Sequence, residues 1–231
     1  MNKKIILPIS LMLLVGFVVF VSAVQMDKDI PGYGTIGANY VQNEVSVTNG
    51  WNLIKGLGNP DWIVGGDISP NQIKAIYALN PLTKEYVKFH PENSELKNLD
   101  VAVDYLLGNT AFWVYVNTDE KNAKLSYYTL ESAPLDKRQL FSGWNFLAFT
   151  SEMNGKTLSD IKGTCNFDKV YTWDNSNQRW GADVAPKPDS NNLGVINQEF
   201  VGYGFIVKVS SDCKLGTSSS GGNVPSVPNL P

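Results

Sequence analysis

The residues with the clearest potential for catalysis are one histidine and a scatter of carboxylates. His90 precedes Pro91 in a polar stretch and has no nucleophile partner evident in the sequence. Paired carboxylates can hydrolyse a glycosidic bond, and the candidates lie mainly in less regular stretches: Asp61, Asp67, Asp100 and Asp104. The sequence carries no signature of a serine hydrolase, zinc protease, phosphate-binding loop or dinucleotide fold. We therefore predict no catalytic residue, no cofactor and no enzymatic activity, and assign these aspartates to turns, caps and solvated surface.

Metal-binding patterns are equally sparse. The run Asp174-Asn175-Ser176-Asn177 resembles part of a calcium loop, but the later glycine and bidentate glutamate of an EF-hand are missing, which favours a hairpin turn. Cys165 and Cys213 are the only cysteines and form no CxxC or Cys/His cluster, so we predict no metal site. An oxidising compartment favours a structural disulfide between them over a redox role.

Aromatic side chains are the better candidates for function, because sugar rings and extended peptides dock on Trp and Tyr faces beside polar groups. We predict ligand binding by residues that differ between two copies of a repeat: Trp62, Tyr115, Trp173 and Trp180. Trp62 lies in a loop, and Trp173 and Trp180 flank a predicted hairpin. A cell-envelope glycan or a surface protein is the expected partner.

The elements that must position these side chains occur twice. The stretch GWNLIKGLG begins at Gly50 and GWNFLAFTS begins at Gly143, and an offset of 93 or 94 residues aligns further positions. The matched pairs are Trp51 with Trp144, Asn52 with Asn145, Tyr77 with Tyr171, Tyr86 with Trp180, Leu99 with Leu193 and Phe112 with Phe205. A period this long indicates tandem whole domains. Because Trp51, Trp144, Tyr77 and Tyr171 recur at matching positions, we predict that they fill the same core twice.

Strand signals dominate both copies. We predict a mainly β protein made of two tandem small β-rich modules, sandwich or barrel-like, over 43–132 and 136–215, with minor short helices. Hairpins are predicted in IKAIYALNPLTKEYVKF and KVYTWDNSNQRWGADV, and VSVTNGWNLIKGL predicts a hairpin or a strand entry. A short helix is predicted from Thr157 to Lys162, with Thr157 as N-cap and Gly163 beyond its end. A turn at Ser69-Pro70 and a helix in SELKNLDVAVDYLL are also predicted.

The order GWNLI, a VYTWD…W hairpin and then GYGFIVKV resembles a repeat with GWNL and GYW-type signatures found in uncharacterised exported and surface-attached proteins of bacteria and archaea. The resemblance covers about residues 43 to 132 and 136 to 215. It implies a β-rich extracellular module and transfers no catalytic residue. The use of such repeats in large surface proteins implies display or attachment.

The flanking segments predict export. Two lysines, an apolar run and the small-residue site Val21-Ser22-Ala23 predict a signal peptide at 1–23, the alternative being an uncleaved membrane anchor. Residues 24–42 read as a lead-in linker and 216–231, rich in Ser, Gly and Pro, as a flexible tail. A net charge of −3 and a pI near 5.2 disfavour nucleic acid as a partner. Any contact with a membrane would run through an uncleaved N-terminus.

Together these patterns predict a secreted or cell-surface display, adhesion or binding module without catalytic activity. A structural subunit of a surface layer or filament is the first alternative, and an extracellular glycan or peptide hydrolase is the second.

Overall fold

The computed structural model of the chain describes residues 39–92, 101–186 and 192–216. The fold is mainly β, with antiparallel sheets forming two β-rich bodies and only short helices, which confirms the predicted fold class. The signal peptide or anchor at 1–23, residues 24–38 of the lead-in segment, 217–231 of the tail, Leu99 and Asp100 lie outside the described residues.

The first module is a two-layer sandwich. Its strands are β1 Tyr40–Val47, β2 Gly50–Lys55, β3 Ile63–Gly66, β4 Ile73–Leu79, β5 Tyr86–His90, β6 Ala111–Val116 and β7 Ala123–Leu130, with helix α1 Val103–Asn109. One sheet has the order β1-β7-β3 and the other β2-β6-β4-β5. Alternate residues of the two sheets, such as Val45, Leu125, Ile54 and Phe112, form one buried core. β1 thus begins inside the segment read as a linker.

The second module repeats the four-stranded sheet. Its strands are β8 Gln139–Leu140, β9 Gly143–Ala148, β10 Phe167–Asp174, β11 Arg179–Trp180, β12 Gly204–Val209 and β13 Cys213–Lys214, with helix α2 Leu158–Ile161. The larger sheet has the order β11-β10-β12-β9, and β13 pairs with β8. Phe149, Phe205 and Val207 pack with α2 residues Leu158 and Ile161 in a separate core.

Several local predictions are confirmed. The β4/β5 and β10/β11 hairpins form. Thr157 caps α2 through a reciprocal capping box with Asp160. The turn after Ser69 is a single 3-10 turn at Pro70–Gln72, and the described end of SELKNLDVAVDYLL is helical in α1.

The predicted disulfide is present. Cys165 and Cys213 are bonded, with their Cα atoms 5.0 Å apart. The bond joins the segment just before β10 to β13, so it fixes the end of the described chain to the start of β10. The first module contains no cysteine and relies on its core alone.

The GWN stretch is a strand entry and not a hairpin. β1 pairs with β7 and β2 pairs with β6, so the chain changes sheet at Thr48-Asn49. The buried side chain of Asn52 accepts a hydrogen bond from the Thr48 N–H and donates to the Thr48 and Gly50 carbonyls. Asn145 makes the same bonds at Phe141 and Gly143 in the second module. The motif's asparagine therefore holds a sheet-to-sheet corner in each copy.

Candidate functional site

The two modules pack through the outer faces of their four-stranded sheets. Five buried side chains form this contact, here called the interface cluster: Leu53, Leu79, Ala111, Phe146 and Ile206. β2 contacts β12 while β6 contacts β9. Because β2 corresponds to β9 and β6 to β12 in the repeat, these contacts are reciprocal, as across a twofold axis. The duplication thus provides a self-complementary interface within one chain.

Each module also holds the GWN corner of the other. The Gln178 side chain accepts a hydrogen bond from the Trp51 N–H at 2.7 Å and donates to the Trp51 carbonyl at 2.9 Å. Lys84, which corresponds to Gln178 at an offset of 94, donates to the Trp144 carbonyl at 3.0 Å. These two residues at the hairpin tips therefore bind the opposite module at equivalent places, and their hydrogen bonds are here called the clasp.

The glycine of GWN makes room for this clasp. Gly50 has a φ of 101° and Gly143 a φ of 89°, a region that favours glycine. A Cβ atom at Gly50 would lie 2.5 Å from Gln178 Oε1. The repeated GWN motif therefore serves partly in the contact between the modules. Its glycine leaves space for the side chain of the opposite module, the backbone of its tryptophan is hydrogen-bonded to that side chain, and its asparagine fixes the corner.

An aromatic groove of about 450 Å³ lies beside the interface cluster. It is lined by six side chains from both modules: Trp51, Tyr77, Tyr86, Trp113, Trp173 and Trp180. The indole centroids of Trp113, Trp173 and Trp180 are 4.8 to 5.5 Å apart, with edge-to-face geometry. Tyr86 is 55% and Trp180 36% exposed, so they form the rim.

Two hydrogen bonds fix the orientation of the inner rings. Trp173 Nε1 donates to the Trp51 carbonyl at 2.9 Å, and Trp113 Nε1 donates to Tyr86 Oη at 3.3 Å. None of the six lining side chains carries a charge at neutral pH. The groove therefore offers preorganised ring faces and few polar atoms, which suits a ligand with flat or cyclic apolar faces.

The lining is specific to one side of the pseudo-twofold axis. At the positions equivalent to Trp113 and Trp173, the other module has Ile206 and Leu79. Ile206 and Leu79 belong to the interface cluster, whereas Trp113 and Trp173 pack against that cluster and line the groove. The repeat therefore supplies aromatic residues at four of the six lining positions, and divergence between the copies adds Trp113 and Trp173 on one side.

The structure places the four predicted binding residues in three settings. Trp173 and Trp180 line the groove. Tyr115 lies outside its lining but packs against Trp51, with ring centroids 5.1 Å apart. Trp62 lies apart, in a cleft of about 630 Å³ in the first module, and packs edge-on against Tyr40 at 6.2 Å.

The prediction that the recurring aromatics fill the two module cores is wrong. Trp51 and Tyr77 are partly exposed and line the groove, and Trp144 and Tyr171 pack against the interface cluster. Their strands alternate, so the neighbouring residues enter the cores and these rings project from the outer faces. They recur because the outer faces, as well as the cores, are in contact.

Sequence reasoning missed four groove residues: Trp51, Tyr77, Tyr86 and Trp113. One signal was available in AFWVYV, where Phe112, Val114 and Val116 are buried in the core while Trp113 and Tyr115 alternate with them. Period-two alternation therefore separates the core set from the outward aromatic set in this strand.

The polar candidates within the described residues lie in three places. Asp67 accepts a hydrogen bond from the Lys124 N–H, and Asp104 lies in the first turn of α1. Asp61 and His90 line the same cleft as Trp62, and the pKa of His90 is lowered chiefly by burial. Among the described residues, no group of three or more His, Cys, Asp or Glu could hold a metal ion.

The Asp174 turn is a hairpin turn, as its residue types indicate. The Asp174 carboxylate accepts hydrogen bonds from the backbone N–H and side-chain amide of Asn177. These bonds stabilise the charged form and lower the pKa of Asp174.

Two buried cations lie at a second inter-module cleft of about 820 Å³. Lys55 is 4% and Arg138 1% exposed. Burial, followed by repulsion from Arg138, lowers the pKa of Lys55 to about 7, while attraction by Glu131 opposes this shift. Arg138 donates to the Ala133 carbonyl, the Thr150 hydroxyl and Glu152. These bonds stabilise the charge of Arg138 within the second module. Burial of the charged form of Lys55, in contrast, lowers the free energy of unfolding at neutral pH.

No family model, curated protein or solved structure matches the chain. Of the helices within 39–92, 101–186 and 192–216, none has the length and apolar character needed to cross a membrane.

Proposed function

We propose that this chain is an exported, non-enzymatic binding module of the cell surface that contacts its ligand through the aromatic groove. The observation that carries the proposal is the convergence of six Trp and Tyr side chains from two modules on one groove. The expected ligand is a cell-envelope glycan or a surface protein.

The six aromatic side chains of the groove support ligand binding. Large rings supply much contact area at a small loss of side-chain entropy, and they are enriched at recognition sites. The inner rings are held by hydrogen bonds before any ligand arrives, so little ordering is needed on binding. The partly exposed rim residues Tyr86 and Trp180 leave the groove open to a partner.

Export is supported by two features. The N-terminal residues have the three parts of a signal peptide, and the Cys165–Cys213 disulfide is of the kind that persists in oxidising compartments. We infer that the module acts in such a compartment by attachment.

The test is retention of the protein on native cell envelopes. Trp180→Ala and Tyr86→Ala remove exposed rim rings, so we expect each to lower retention at least about threefold, with little change in melting temperature. Trp62→Ala is the matched control, because it removes a tryptophan that lies outside the groove, and its retention should equal that of the unaltered protein.

Equal retention of all three variants would contradict the groove as the binding site. Assembly of the purified protein into sheets or filaments at physiological salt would select the structural-subunit alternative. Turnover of a glycan or peptide that is lost on replacing Asp61 would select the hydrolase alternative.

A further inference from the structure

Of the two expected ligand classes, the chemistry of the aromatic groove fits the proline rings of a protein better than the hydroxyls of a glycan. Its lining is uncharged, and the indole N–H groups of Trp113 and Trp173 are already bonded within the protein. Proline-rich segments dock in grooves lined by Trp and Tyr, where the rings pack face to face and few hydrogen bonds are required. A pyranose carries several hydroxyls, each of which needs a polar partner when it is buried.

The chain itself contains a segment of this chemistry. The sequence from 223 to 231 reads NVPSVPNLP, with Pro225, Pro228 and Pro231 at every third position. A polyproline II helix has three residues per turn, so this spacing would place all three prolines on one face. Residues 217–231 carry no charged side chain, which matches the uncharged lining. They lie outside the described residues.

The segment is long enough to reach the groove of its own molecule. The Gly216 N–H donates to the Ile161 carbonyl at the end of α2, and the disulfide holds this region near the start of β10. From Phe167 to Trp173, β10 spans about 20 Å. The nine residues from Gly216 to Pro225 span up to about 30 Å when extended.

We propose that the PSVPNLP segment, 225–231, occupies the aromatic groove of its own chain and so competes with the external ligand. This inference rests on the proposed function in taking the groove as the binding site. A tether of this length gives an effective concentration of about 1 mM, so even a weak contact is largely formed.

The test uses the full chain and a dye-labelled peptide of sequence NVPSVPNLP, followed by fluorescence anisotropy. The triple variant Pro225→Ala, Pro228→Ala, Pro231→Ala should free the groove and bind the peptide about tenfold more tightly than the unaltered chain, for an intrinsic dissociation constant of about 100 µM. The matched control Ser226→Ala, Asn229→Ala alters positions off the proline face and should behave as the unaltered chain. Adding Trp180→Ala to the triple variant should weaken peptide binding at least about fivefold.

Three results would overturn the proposal. Equal peptide affinity in the unaltered chain and the triple variant would mean that the groove is not occupied in cis. Absence of peptide binding to the triple variant, or binding unaffected by Trp180→Ala, would mean that the groove does not recognise the segment. A concentration-dependent dimer that the triple variant loses would assign the segment to the groove of a second copy.

Envelope retention separates this inference from the proposed function. Loss of retention in Trp180→Ala without any peptide binding leaves the surface-binding function standing and removes the tethered segment. Peptide binding without envelope retention leaves the tethered segment standing and removes the surface-binding function.

Discussion

Gly204 lies at a close approach between the two modules, and its substitution tests the inter-module contact directly. A Cβ atom at Gly204 would lie 2.3 Å from Ala111 Cβ and 2.5 Å from Leu53 Cγ. Ordinary carbon contacts are about 3.5 to 4.0 Å, so the sheets must separate by about 1 Å in Gly204→Ala. Overpacking of this kind costs about 1 to 3 kcal/mol, against a gain of about 0.5 to 1 kcal/mol for replacing glycine within a strand. We expect a net loss of about 1 kcal/mol in the free energy of unfolding, within a range of about 0 to 2.5 kcal/mol.

Urea unfolding monitored by tryptophan fluorescence measures this loss. Gly65→Ala is the matched control, because its Cβ would meet only Ser126 Cβ at an ordinary 3.8 Å. Ala111→Gly in the Gly204→Ala background exchanges the two equivalent residues across the pseudo-twofold axis and removes the shorter clash. It should restore about half of the lost stability, since the two residues are in contact and couple. Gly204→Ala should therefore be about 1 to 3 kcal/mol less stable than Gly65→Ala, and a difference below about 0.5 kcal/mol would refute the close approach of the sheets.

Two further predictions concern stability. The pKa of Lys55 is about 7 in the folded chain against an ordinary 10.5, so between these values the unfolded chain binds more protons and the free energy of unfolding rises with pH. Lys55→Met should therefore add up to about 4 kcal/mol near pH 7 and little near pH 10, as measured by urea unfolding; an equal gain at both pH values would contradict the buried-cation argument. Replacing Cys165 and Cys213 by alanine opens a link across a sequence separation of 48 and should remove about 4 kcal/mol in the chain-entropy model. Reduction of the unaltered protein should shift the urea midpoint equally, and an unchanged midpoint would refute this contribution.

The local parts of the fold could be predicted from the sequence because their causes are local. Capping of α2 by Thr157 depends on residues three positions apart, and the hairpin turn at Asp174 depends on its own side-chain bonds. The Cys165–Cys213 bond could be predicted because no other partner exists. The corner at Thr48-Asn49 could be narrowed only to a hairpin or a strand entry, because strand partners distant in sequence decide between them.

The groove could be predicted only in part. Differences between the copies pointed to Trp173 and Trp180, but the same reasoning selected Trp62, which occupies another cleft. Similarity between the copies assigned Trp51 to a core, because a repeated aromatic residue is usually a packed one. That inference fails where two copies pack against each other, since an outward residue then has a repeated structural role as well.

The strands β6 and β12 are each in contact with other residues on both faces. Both read as continuous apolar runs, a pattern typical of strands buried on two faces. In each, one face enters the module core, as Phe112 and Phe205 do, and the other faces the opposite module, as Ala111 and Ile206 do. Neither face of such a strand is free to form a binding site without weakening the contact between the modules. The exception is the edge of the interface. The groove lies at that edge, where Trp113 and Trp173 occupy the positions that hold Ile206 and Leu79 in the other copy, while the hydrogen bonds from Gln178 and Lys84 join the modules. A chain with two modules can therefore diverge at one edge while its interface cluster stays intact, which a single module of this fold could not do.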